Sequence, residues 1–195
     1  MKLIRSCCLV VGLLSSFEVA SETPRDVCSV SASELEAYLR QDFNTFDQSK
    51  DGWRKLFSDP PRCFLEVAQV IDVYRLHHLS DLKEGEQMTL SWHAGQTYAF
   101  AGAYAIALAR FEQCRHKDEP ANSSSRWNAY VESTLAFLKR DLVKLKAKRE
   151  ELAGGSQSDN LANLKKVDGL IKCFNKSYRE AYIECPKAER GRDAR

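Results

Sequence analysis

The chain has 195 residues, 44% of them hydrophobic and 29% charged, which suits about one domain with a packed core and excludes wholesale disorder. A formal net charge of +2 leaves no basic footprint for nucleic acid. Nine Gly and five Pro are few for an all-β protein with many turns, so the balance favours helices.

Residues 1–21 read as an export signal instead of fold. Lys2 and Arg5 precede the apolar run Cys7–Leu14, and Val19-Ala20-Ser21 supplies small residues before a cut. Cleavage is expected after Ser21, with Ala20 as the near alternative. The run is too short for an ordinary membrane span. Cys7 and Cys8 lie inside it, which argues against a lipid anchor. Beyond the cut stand 27 basic and 26 acidic residues and five cysteines: Cys28, Cys63, Cys114, Cys173 and Cys185. An exported chain can oxidise these. Cys173 with Cys185, flanking a short helical stretch, is the first expected pair, and Cys28 with Cys63 the second. Five is odd, so at least one thiol is free or paired between chains, and Cys114, standing where a helix pair wants a small core residue, is expected buried and reduced. No CxxC spacing occurs, so neither zinc nor any other cofactor is expected.

Residues 22–31 read as a mobile leader, 32–185 as one helical domain, and 186–195 as a frayed charged tail. Ser33-Glu34-Leu35-Glu36 has capping-box form, and Leu35, Tyr38, Leu39, Phe43 and Phe46 follow on one face until Asp51-Gly52 breaks it. Trp53, Leu56 and Phe57 mark a short helical piece ended by Pro60-Pro61. A helix to about His78 carries Phe64, Val67, Ala68, Ile71 and Tyr74 at helical spacing. The stretch from Glu86 to Cys114 should form two helices, Gln87–Ala101 and Tyr104–His116, with Gly102 reversing the chain between them. Lys117–Ser125 is a surface connection. Arg126–Leu138 is strongly amphipathic; it either continues through Lys139-Arg140-Asp141 or turns there, with Asp141 capping the next helix. Ala153-Gly154-Gly155-Ser156 is a stop. Leu161 to Phe174 forms a further helix, and Tyr178–Ile183 a short last one.

The central stretch resembles a tetratricopeptide repeat. Gly95, Tyr98, Gly102, Tyr104, Ala107 and Phe111 match that family's spacing over Met88–Pro120, while Ala94 stands where a leucine is usual and Pro120 falls one place late. Tyr130, Ser133, Leu142 and Leu145 echo Trp92, Gly95, Tyr104 and Ala107 more weakly. The resemblance implies an all-α fold of antiparallel helix hairpins stacked as a short solenoid; an irregular helical bundle is the alternative. The run Trp92-His93-Ala94-Gly95-Gln96 also resembles small exported bacterial proteins of unassigned function.

In such a solenoid the first helix of each pair lines a groove, which the resemblance places at Thr89, Trp92, Gln96, Ala99 and Phe100. The leading expectation is an exported, non-catalytic binding or scaffold protein with a protein or peptide partner, in the periplasm or outside the cell. The alternative is a small exported hydrolase-like enzyme. Its polar candidates are His77, His78, His93 and His116 with Asp72, Asp81 and Glu86, and of these His93 is the one to test. No HExxH, GxSxG or phosphate-loop motif occurs. The basic run Lys139, Arg140, Lys144, Lys146, Lys148 and Arg149 reads as a solvated helix face more readily than as a surface for acidic lipid. Asn122 and Asn175 begin glycosylation sequons.

Overall fold

The computed structural model describes residues 29–57, 64–120 and 123–186. The expected export signal, the Cys28–Cys63 pairing, Asn122 and all of the expected tail except Pro186 lie outside them. The fold is all-α, with no strand among the described residues.

Helix α1 (Ala32–Leu39) begins two residues earlier than its capping pattern suggested. Ser31 is the cap: its hydroxyl accepts from the Glu34 amide at 3.3 Å, and the Glu34 carboxylate accepts from the Ser31 amide at 2.8 Å. The expected single helix through Phe46 is broken after Leu39, and Phe46 lies in a short π-type piece, Asn44–Gln48, with Phe43 immediately before it. The break lets Phe46 stack on Tyr74 at 3.6 Å between ring centroids, while the Tyr74 hydroxyl donates to the Gln41 carbonyl at 2.9 Å. A 3₁₀ turn follows at Trp53–Phe57.

Helix α2 (Phe64–His77) packs on α3 (Glu84–Phe100), and α3 packs on α4 (Tyr104–Glu112). Helix α3 starts three residues before its expected position because the Glu86 carboxylate accepts from the Lys83 amide at 2.9 Å and closes the first turn. Helix α4 stops at Glu112 instead of His116. Beyond it, the Asn128 side chain bonds both the amide and the carbonyl of His116, at 2.9 and 2.8 Å, and pulls that backbone away from the helix axis.

Two small residues set the α3–α4 hairpin. Gly102 adopts φ +80°, a conformation that side chains disfavour, and the Ala103 amide then reaches back to the Tyr98 carbonyl at 2.9 Å. Gly95 faces Phe111 so closely that a Cβ would stand 3.0 Å from its ring. Small against large is therefore the contact itself.

Helix α5 (Trp127–Leu138) ends at a turn, so the long-helix alternative is not realised. Arg140 takes φ 58° there, the Asp141 amide bonds the Ala136 carbonyl at 2.8 Å, and the Asp141 carboxylate accepts from the Lys144 amide at 2.9 Å. Helix α6 (Leu142–Ala153) packs on α5 and on α7 (Ser158–Lys172), and α7 also touches α5. A last π-type piece, Glu180–Glu184, packs along α7. A disulfide joins Cys173 to Cys185 with Cα atoms 6.5 Å apart. Pro186, assigned to the tail from sequence, is part of the ordered fold.

Candidate functional site

Helix α3 makes two chemically different sets of contacts, one at His93 and one further along the helix at Gln96 and Phe100. The first centres on His93. Its Nδ1 lies 2.7 Å from Asp47 Oδ1, and the Trp53 indole donates to the same oxygen at 2.9 Å. Gln48 Nε2 donates to Oδ2 at 2.5 Å. Asp47 is fully buried. An ionised carboxylate only accepts hydrogen bonds, so His93 Nδ1 carries the proton and a neutral ring keeps its lone pair on Nε2. Burial pushes the Asp47 carboxyl up, but the His93 hydrogen bond and charge, together with the Trp53 bond, outweigh it and hold it below the ordinary carboxylate value. The His93 ring also packs on Trp53 at 5.3 Å and keeps 18% of its side chain exposed. Sequence reasoning passed over Asp47. It lies 46 positions from His93, and no local pattern distinguishes it from a solvated helix residue.

The five expected groove residues, of which Thr89, Gln96 and Phe100 share the His93 face of α3 at helical spacing, do not line an open groove. Trp92 and Ala99 are buried, at 6% and 1% exposure. Trp92 is enclosed by Phe111, Trp127 and Tyr130, each within 4.9 Å between centroids. Thr89 returns its hydroxyl to the Gly85 carbonyl of its own helix at 2.8 Å. Gln96 and Phe100 are covered by the chain's own C-terminal segment. Gln96 Nε2 donates to the Tyr182 hydroxyl at 2.7 Å, and that hydroxyl pairs with the Tyr130 hydroxyl at 2.7 Å. Phe100 stacks on Tyr178 at 5.5 Å and meets Tyr182 at 5.8 Å. The groove is thus a filled seam, because solvent-facing aromatic area on α3, α4 and α5 is removed from water by two more tyrosines. Burial drives the Tyr130, Tyr178 and Tyr182 hydroxyls upward in pKa, so all three stay neutral.

The remaining expected residues hold structure. Asp72 binds α4 to α2, accepting from Arg110 Nε at 2.7 Å and from the Tyr98 hydroxyl at 3.0 Å. Burial, then the Asp72 charge, push that hydroxyl up to about 12. His78 Nε2 donates to the Leu39 carbonyl at 2.9 Å and anchors α1. His77 ends α2, Asp81 lies beside His78 at 3.9 Å, and Glu86 caps α3. An open cleft of about 600 Å³ at the α3 N-terminus is lined by Glu84, Met88, His116 and Glu119, among others, and meets neither His93 nor Gln96.

The basic run is largely tied up by partners. Lys144 pairs with Glu132 at 2.5 Å, Arg149 with Asp168 at 2.8 Å, Lys148 with Glu151 at 2.7 Å and Lys139 with Glu112 at 2.9 Å. Arg140 caps the carbonyls of Phe174 and Lys176.

Among the described residues, no group of three or more His, Cys, Asp or Glu is placed to hold a metal ion. No helix among them is long and apolar enough to cross a membrane. Comparison of the chain with protein-family models, curated proteins and solved structures finds no match.

Proposed function

We propose that this chain is an exported, non-catalytic helical binding or scaffold protein of the cell envelope. In this reading the α3 face receives a partner peptide or helix bearing aromatic residues. The observation that carries the proposal is the Gln96–Tyr182 bond at 2.7 Å, with Phe100 stacked on Tyr178 beside it. The face already holds a short helical segment through two tyrosines four residues apart, which is the spacing one helical side presents. The tetratricopeptide-like reading of Met88–Pro120 belongs to the same proposal, with α3 and α4 as the two helices of a repeat. Export is supported by the signal pattern in residues 1–21 and by the Cys173–Cys185 disulfide.

The test is calorimetric titration of the full chain carrying Cys173→Ser and Cys185→Ser with a peptide of residues 174–184. Saturable one-site binding is expected, and a scrambled peptide with its tyrosines two apart should give none. Equal heats for the two peptides would remove the reading.

A second reading rests on Asp47 and His93. A carboxylate that fixes the imidazole by Nδ1 leaves Nε2 ready to accept a proton from water, the arrangement of a general base. Hydrolysis of a chromogenic acetate ester by the wild type and by His93→Gln discriminates. At least a tenfold drop would favour the enzyme, whereas equal rates would leave the pair purely structural.

A further inference from the structure

We infer that the Cys173–Cys185 disulfide is a reductant-cleavable latch holding residues 177–186 over the α3 face, and that its opening uncovers that face for a tyrosine-bearing helix. The inference rests on the binding reading above.

The segment is fixed at one end by polar contacts and at the other by a covalent bond. At its start, the Arg140 guanidinium holds the carbonyls of Phe174 and Lys176. These contacts tie the start of the segment to the turn between α5 and α6. At its end, Cys185 is tied back to Cys173 across 12 residues. Between them the segment is short and keeps its own internal order. Glu180 accepts from the Ser177 amide at 3.0 Å, and the Cys185 amide bonds the Glu180 carbonyl at 3.0 Å. Its grip on α3 and α5 is made by the Tyr178 and Tyr182 side chains, and it also rests on α7, where Lys166 Nζ donates to the Tyr182 carbonyl at 3.3 Å and Ala181 and Pro186 lie against Gly169. A unit with this layout can leave and return as one piece.

The disulfide is also placed for exchange. Both of its residues are partly exposed, whereas the third described cysteine, Cys114, is buried. A dithiol reductant can reach the first without engaging the second. One of its thiolates attacks a sulfur of the pair, the S–S bond breaks and a mixed disulfide forms. The second reductant thiol then closes the reductant's own disulfide. Two electrons and two protons have passed to the protein, and Cys173 and Cys185 are thiols.

Closing a loop of this length disfavours the open state by roughly 100-fold, so reduction raises the open fraction by about that factor. Tyr178 is fully buried in the closed form, so the open form remains a minority until a ligand presents equivalent rings. A partner helix with tyrosines four apart meets that requirement and shifts the population by mass action.

The experiment is amide hydrogen exchange on the full chain, oxidised, after dithiothreitol, and as the Cys173→Ser/Cys185→Ser variant. The expected result is a loss of protection of about 100-fold in residues 177–186 on reduction, with the segment in the reduced chain exchanging at least tenfold faster than the core amides of α3 and α5. The 174–184 peptide should then bind the reduced chain at least tenfold more tightly than the oxidised one. Unchanged exchange in the segment on reduction would overturn the latch, as would segment exchange no faster than that of the α3 and α5 core, since the segment would then open only with the whole fold. Release of the segment without peptide binding would keep the latch and overturn the binding reading.

Discussion

Two neighbours are held along α3 by opposite means. At His93, the 41–57 region is joined around one buried carboxylate that gathers an imidazole, an indole and an amide. Further along, at Gln96 and Phe100, residues 177–186 are joined through ring faces, two phenol bonds and a disulfide. A directional ionic joint has one satisfied arrangement and a steep loss when a member is removed. A seam of aromatic contacts is spread over many atoms and is lost piece by piece. The first is suited to fixing a position, the second to exchanging an occupant.

The largest expected break in this comparison is Asp47→Ala. It strands His93 Nδ1 and the Trp53 indole, and should cost about 3–5 kcal/mol in urea unfolding at pH 7. The same joint has a pH signature. Asp47 is held below its ordinary value in the fold, so its contribution is complete above about pH 4 and is lost as pH falls through the lowered value. The stability gap between the wild type and Asp47→Asn should therefore narrow between pH 7 and pH 2; a gap independent of pH would contradict the ionised reading.

Smaller effects are expected at the seam. Cys173→Ser/Cys185→Ser should lower global stability by about 3 kcal/mol. Gly95→Ala pushes a methyl into Phe111 and should cost about 1–3 kcal/mol, read as a fall in thermal midpoint. Tyr182→Phe removes the partner of Gln96 and Tyr130 and should cost roughly 1 kcal/mol. If Tyr182→Phe costs as much as Asp47→Ala, the contrast between the two joints disappears.

Helical class was legible because its signals are local. The apolar spacing of Arg126–Leu138, the Gly102 reversal and the Asp141 cap each depend on residues within a few positions. The 173–185 pair was legible for the same reason. The Asp47–His93 joint was not, since nothing in Asn44-Thr45-Phe46-Asp47 points to a histidine two helices away. The resemblance places Thr89, Trp92, Gln96, Ala99 and Phe100 along a groove, whereas Trp92 and Ala99 are interior. Which segment would cover them depended on how the chain after α7 folds back over α3, a long-range packing choice that periodicity does not encode. The break after Leu39 was missed because Phe43 and Phe46 keep helical spacing while the backbone departs to let Phe46 meet Tyr74.

The most direct measurement of the central claim is the Gln96 side-chain amide in a two-dimensional NMR titration of the Cys173→Ser/Cys185→Ser full chain with the 174–184 peptide. The account predicts that the Gln96 amide keeps a bonded environment while the protein's own Tyr178–Tyr182 resonances shift toward free-chain positions as peptide is added. Movement of surface residues elsewhere, with the Tyr178–Tyr182 segment unmoved at saturation, would contradict it.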